Sequence, residues 1–170
     1  MPYFFQKSIR WQILDSKSLW DRLHRSEIRK FGPHNLEYLS APKKSDLVLI
    51  VGTLQYILDN QRQSLRDICD ATMAESVIIS RTPFLDQTLE LVVEQRAILF
   101  DSIGSSNEGF VLVNLRNVNS VIEEICGLKY QLVYKSRKYP FELATRNGKI
   151  ITFYQDLFFT RCDSDSTDFF

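Results

Sequence analysis

The sequence predicts an α/β domain with an open, mostly parallel sheet and an antiparallel hairpin at its C-terminal edge, and three observations carry that prediction. Leu47 to Val51 is an unbroken run of Leu, Val and Ile, the pattern of a strand covered on both faces. Leu65, Ile68, Cys69 and Met73 follow at i, i+3, i+4 and i+8, which is helical spacing, and Val77 to Ser80 is a second short apolar run. Strand, helix and strand in that order imply a right-handed crossover between parallel neighbours. Near the end, Arg146-Asn147-Gly148 supplies the positive φ values of a tight turn between extended segments.

Along the chain, Ile9 to Leu14 (IRWQIL) reads as a strand, followed by Asp15 and Ser16 as polar loop residues able to cap a helix. Leu19, Trp20, Leu23 and Ile28 predict that helix over about Ser18 to Lys30, ended by Phe31-Gly32-Pro33. LEYLS is a short strand before Ala41-Pro42. A helix spans about Asn60 to Ala74. From Thr82 to Val113 the pattern is irregular, with Ile103 to Gly109 reading as a loop. Val118, Val121, Ile122 and Ile125 mark a helix that Asn117 caps and Gly127 ends. Tyr130, Leu132 and Tyr134 alternate as a strand, a last strand runs from Phe153 to Arg161, and residues 163–170 form a flexible acidic tail.

A chain of 170 residues suits one core. Lys plus Arg equals Asp plus Glu at 21 each, so no global field draws the protein to nucleic acid or to an anionic membrane. Lys135-Ser136-Arg137-Lys138 and Lys43-Lys44 are short and read as solvated ends of elements. Cys69, Cys126 and Cys162 are odd in number and widely spaced, which gives neither a disulfide framework nor zinc spacing and favours a reducing compartment. The N-terminus lacks the apolar core of a signal peptide, and no apolar run reaches the ~20 residues of a membrane span, so a cytoplasmic location is expected.

In open parallel sheets, ligands bind outside the carboxyl ends of the strands. That rule selects Asp15, Gly52-Thr53 and Arg81-Thr82. Gly52 allows a ligand close to the backbone, Thr53 and Gln55 can hydrogen-bond it, and an acidic Asp15 suits a ribose diol. Each also has a local reading, Gly52 as a turn residue, Asp15 as a cap, and Arg81 with Pro83 as loop organisers. No metal is expected, since His24 and His34 have no Cys or carboxylate pair at ligand spacing. Asp67, Asp70 and Glu75 read as solvent-facing, and so do Glu123 and Glu124. Neither a phosphate-binding glycine loop nor a nucleophile elbow occurs.

Through IRWQILD, SDLVLIVGTLQYILDN, VIISRTPF, GLKYQLVYKSRKY and YQDLFFTR, the chain resembles a class I S-adenosylmethionine-dependent methyltransferase, and more narrowly the bacterial methyltransferase family known from leptospiral sequences. The resemblance implies an incomplete Rossmann-like methyltransferase fold over residues 1–162, with S-adenosylmethionine as cofactor. Asp15 then matches the ribose-binding acid, and Gly52, Thr53, Leu54, Gln55 and Tyr56 the loop that borders the cofactor's methionine part. Arg81, Thr82 and Gln95 face the methyl acceptor, a small molecule or glycan-type compound, and Thr82 to Val113 is the substrate-facing insert. Methyltransferases of this class begin with a strand and a glycine-rich turn, and the first eight residues here contain no glycine. The resemblance therefore implies a truncated domain complemented by an N-terminal polypeptide or by homodimerisation. The alternative is a catalytically inactive remnant or interaction subunit that keeps part of the fold.

Overall fold

The computed structural model describes residues 11–14, 36–57, 61–88, 90–100 and 106–162. Asp15, the helix expected over Ser18 to Lys30 and the tail at 163–170 lie outside the described residues. Met1–Lys43 and Lys44–Phe170 form two compact units. In the first, β1 (Trp11–Leu14) pairs in parallel with β2 (Leu36–Leu39), in register from Trp11↔Leu36 to Leu14↔Leu39. Gln12 Nε2 donates to Glu37 Oε2 at 3.2 Å across that ladder, and Lys43 pairs with Glu37 at 3.3 Å.

The second unit holds a four-stranded sheet and a closed barrel. The sheet is made of β3 (Leu47–Val51), β4 (Ser76–Ser80), β8 (Tyr130–Lys135) and β11 (Leu157–Arg161), in the order β3-β4-β11-β8. β3 and β4 are parallel, joined through α1 (Gln61–Thr72), while β11 runs antiparallel to both β4 and β8. The expected strand-helix-strand unit and the reversed final strand are both present. α2 (Val118–Gly127) precedes β8, and Asn117 caps it as expected, its Oδ1 accepting from Asn119 N at 2.8 Å and Ser120 N at 3.3 Å.

Side chains alternate across a strand, so the ladder registers place Val48, Ile50, Val77, Ile79, Leu157 and Phe159 on one face. There they pack with Leu65 and Cys69 of α1 and Val121 and Ile125 of α2 in one core. The other face differs from expectation. Leu47, Leu49 and Val51 are 44%, 44% and 48% exposed, so β3 is covered on one face only. A continuous apolar run shows that both faces are apolar, but not that an element lies over each.

The region expected to be irregular is the barrel. β5 (Pro83–Leu85), β6 (Leu91–Phe100) and β7 (Ser106–Asn117) belong to it with β9 (Tyr139–Thr145) and β10 (Gly148–Tyr154), closed in the order β10-β5-β7-β6-β9. β6 and β7 form a long antiparallel hairpin from Leu91↔Leu115 to Phe100↔Ser106, so Ser106 to Gly109, read from sequence as loop, are strand. The interior is Leu85, Val113, Leu115 and Leu143 with Leu91, Val93, Val111, Phe141 and Ile150. Apolar residues such as Val92 and Leu112 also lie on the outer face, which hides the period-2 alternation. The sheets are therefore mixed, not mostly parallel.

The expected strand Phe153 to Arg161 is two strands, broken at Gln155-Asp156 where the chain passes from barrel to sheet. Ser136 fixes that crossing: its N–H donates to Asp156 O at 3.0 Å, and its Oγ accepts from Asp156 N at 2.9 Å. The expected turn is present at Arg146-Asn147, with Gly148 at φ +129°. Arg146 N donates to Glu94 O at 2.9 Å, which helps close the barrel between β6 and β9.

Candidate functional site

The carboxyl ends of β3 and β4 meet at Gly52 and Arg81. Because β11 is antiparallel to both neighbours, its first residues and the end of β8 reach the same edge. The edge thus gathers Gly52, Ser80, Arg81, Thr82, Ser136, Gln155 and Asp156. Gly52 has φ +61°, in the left-handed region that favours glycine, and its N–H donates to Ser80 O at 3.0 Å. A Cβ there would stand 3.7 Å from Arg81 O, an ordinary contact, so backbone conformation and not space selects glycine. Arg81 is also left-handed at φ +54°, where a non-glycine residue is strained by about 1–2 kcal/mol. Ser80 Oγ donates to Asp156 Oδ1 at 2.6 Å, which ties β4 to the crossing before β11.

After Gly52, Leu54–Tyr56 make one 3-10 turn. Leu54 is buried in the core and offers no side chain to the edge. Thr53 is exposed and donates through Oγ1 to Val51 O at 3.1 Å. Tyr56 is half exposed. Gln55 is buried, its Nε2 donating to Gly52 O at 2.9 Å and its Oε1 left without a partner. Thr82 is buried with an unpartnered Oγ1. Gly52, Thr53, Gln55, Tyr56, Arg81 and Thr82 are thus brought to one edge. Gln95 instead sits on β6, opposite Val111 and Thr145 in the barrel wall.

No protein-family model and no curated protein matches the sequence. Solved structures do. An S-adenosylmethionine-dependent methyltransferase from Clostridium acetobutylicum superposes with TM-score 0.58 at 10% identity, covering 91% of this chain and 76% of that one. A glycopeptide N-methyltransferase complexed with S-adenosylmethionine gives 0.56 at 12% identity over 89% and 72% of the two chains. A methyltransferase from Methanosarcina mazei gives 0.53 at 13% over 88% and 81%. The fold is methyltransferase-like. Identities of 10–13% establish the fold and nothing finer.

Within this methyltransferase-like fold, sequence reading missed Ser80, Ser136, Gln155 and Asp156 as edge residues. Ser80 was legible as the last residue of its strand. The others come to the edge through the antiparallel insertion of β11, which residue periodicity does not encode. Glu124, read as solvent-facing, turns inward to pair with the buried Arg116 at 2.8 Å, and Arg116 also meets Glu90 at 2.9 Å. Asp67, Asp70 and Glu75 are exposed as expected. Among the described residues no group of three or more Cys, His, Asp or Glu could hold a metal ion, and no helix is long and apolar enough to cross a membrane.

Proposed function

We propose that this chain is an S-adenosylmethionine-dependent methyltransferase acting on a small-molecule or glycan-type acceptor, with the cofactor at the carboxyl end of β3. The observation that carries this reading is the edge itself: a left-handed Gly52 followed by a turn whose Gln55 holds a buried, unpartnered acceptor oxygen. The methyltransferase folds of the solved neighbours support it.

The residues fit the cofactor in kind. Gly52 leaves the backbone open to a methionine moiety, and Gln55 Oε1 would accept from its amino group. Gln55 Nε2 is committed to Gly52 O, a carbonyl that only accepts, so the oxygen end is the one presented. Tyr56, half exposed in the same turn, borders the cofactor. When bound, the cofactor supplies an electrophilic methyl group. The protein's part is to hold the acceptor's lone pair in line with that methyl and to keep water away, a positioning role. Arg81 and Thr82 are proposed for the acceptor side, and Gln95, on β6 in the barrel wall, is not. Calorimetric titration with S-adenosylhomocysteine tests the reading, with a Kd tighter than about 1 mM expected and weaker binding rejecting it for this chain alone.

A second reading, a catalytically inactive interaction subunit, is favoured by the exposed row Leu47, Leu49 and Val51. Among the described residues β3 pairs on one side only, so its other edge offers backbone donors and acceptors to the same edge of a second copy. Light scattering decides it. A dimer dispersed by Leu49→Lys, together with no calorimetric response to S-adenosylhomocysteine, supports this reading, and a monomer removes it.

A further inference from the structure

Four buried, uncharged side chains carry oxygens that no group satisfies: Gln55 Oε1, Thr82 Oγ1, Asn114 Oδ1 and Gln155 Oε1. Their residues are only 3–8% exposed. The strand registers bring three of them together where the sheet meets the barrel. β10 pairs with β5 through Phe153↔Phe84 and Tyr154↔Pro83, so the next step sets Gln155 opposite Thr82. β5 pairs with β7 through Phe84↔Arg116, so two steps back Thr82 stands beside Asn114. Gln155, Thr82 and Asn114 therefore form a row across three adjacent strands. The 3-10 turn that holds Gln55 packs against β7.

The chemistry of the row is fixed by what lies behind it. Gln155 Nε2 donates to Ser136 O and Gln55 Nε2 to Gly52 O. Carbonyl oxygens only accept, so neither amide can turn its nitrogen toward the row, and both present oxygen. None of the three side chains in the row is charged, and the guanidinium of Arg116, two residues along β7 on the same face, is already paired with Glu90 and Glu124. An anion would meet acceptors, and an ammonium would be buried beside no carboxylate of the row. A desolvated acceptor without a partner costs about 1–3 kcal/mol, which a neutral N–H or O–H donor recovers. Adjacent strands lie ~4.8 Å apart, so one small donor cannot serve all three, whereas donors spread around a ring can.

On the side of the row away from Arg116 the neighbours are apolar. Phe110 and Leu112 precede Asn114 on the same face of β7, and Val92 lies opposite Asn114; all three are exposed. A ring with hydroxyl donors on its edge and an apolar CH face matches both surfaces. We propose that Thr82, Asn114 and Gln155 form a binding site for an uncharged, polyhydroxylated ring. This deepens the methyltransferase reading, on which it rests for its role, by naming the class of the methyl acceptor.

The test is a chemical-shift titration of the whole chain with methyl β-glucoside, with glucuronate as the charged match, and a parallel titration with S-adenosylhomocysteine. The neutral ring is expected to bind at least tenfold more tightly than glucuronate. Asn114→Leu and Gln155→Leu should each weaken it about tenfold, the loss of one hydrogen bond, while S-adenosylhomocysteine binding stays unchanged. Gln155 also anchors the crossing into β11, so Thr82→Val, which removes only a hydroxyl, gives an independent reading of the same loss. If S-adenosylhomocysteine binds and the neutral ring does not, or glucuronate binds equally well, or all three variants bind like wild type, the ring site is wrong and the methyltransferase reading stands. If the ring binds and S-adenosylhomocysteine does not, the site stands and its methyl-acceptor role falls.

Discussion

The sheet and the barrel of the second unit solve the same problem in different ways. The sheet buries one face under two helices and leaves Leu47, Leu49 and Val51 uncovered on the other. The barrel closes on itself, which removes edges, but its fully buried interior is small: Leu85, Val113, Leu115 and Leu143. The two are not independent, because Phe84 of β5 and Phe153 of β10 point out of the barrel into the sheet's core, with their ring centroids 6.2 Å apart. The barrel is thus held by the sheet, and the seam between them carries the unpartnered polar row. The ring site proposed at that seam needs the two sides to move as one body, and the shared core provides that.

The sharpest way to break this comparison is a pair of core truncations. Phe159→Ala, fully buried in the sheet, should cost about 3–5 kcal/mol, and Leu115→Ala in the barrel about 2–5 kcal/mol. Both should give one cooperative urea transition, and two separate transitions would show that the barrel folds alone. Next in size is Arg116→Met. Arg116 is buried at the end of β7 and pairs with Glu124 of α2, so its loss leaves a largely buried carboxylate unpaired and should cost about 3 kcal/mol, read by thermal melting.

The third effect concerns pH. Burial, reinforced by the nearby Asp70 carboxylate, pushes the Cys69 thiol from 9.0 up to about 11, and burial also raises Tyr130. Below pH 9 the thiol is protonated in both states. Between pH 9 and about 11 only the unfolded chain releases the proton, so stability should fall by about 2 kcal/mol as pH rises through that window. Cys69→Ala should flatten that slope in urea melts at pH 8 and pH 10.5. Smaller still is Asn117→Ala, expected to cost about 1–2 kcal/mol because the same side chain caps α2 and donates to Gln87 O at 2.9 Å. Lys149→Ala, which removes an exposed pair with Glu142 across the β9–β10 hairpin, should leave the melting temperature unchanged.

Much of the sheet was legible because its signals are local. Leu47 to Val51, the Leu65–Cys69 helical face, the Asn117 cap and the Asn147-Gly148 turn each state their structure within a few residues. The barrel was not, because a strand with apolar residues on both faces, such as Leu91, Val92 and Val93, loses the alternation that marks it. The break at Gln155-Asp156 was hidden for a different reason: YQDLFFTR is extended on both sides, and only the hydrogen bonds to Ser136, 20 residues away in sequence, show that the chain changes sheets. Of the site, the Gly52 turn and Thr82 followed from the strand-end rule, whereas Asn114 and Gln155 join it through ladder registers that no short motif records.

Hydrogen exchange with and without S-adenosylhomocysteine tests the central claim most directly, because it locates the ligand as well as detecting it. Protection is expected at the amides from Gly52 to Tyr56, and Gly52→Val, which forces a β-branched residue into φ +61°, should abolish it. Protection confined to other segments, or none at saturating ligand, would contradict a cofactor site at the carboxyl end of β3.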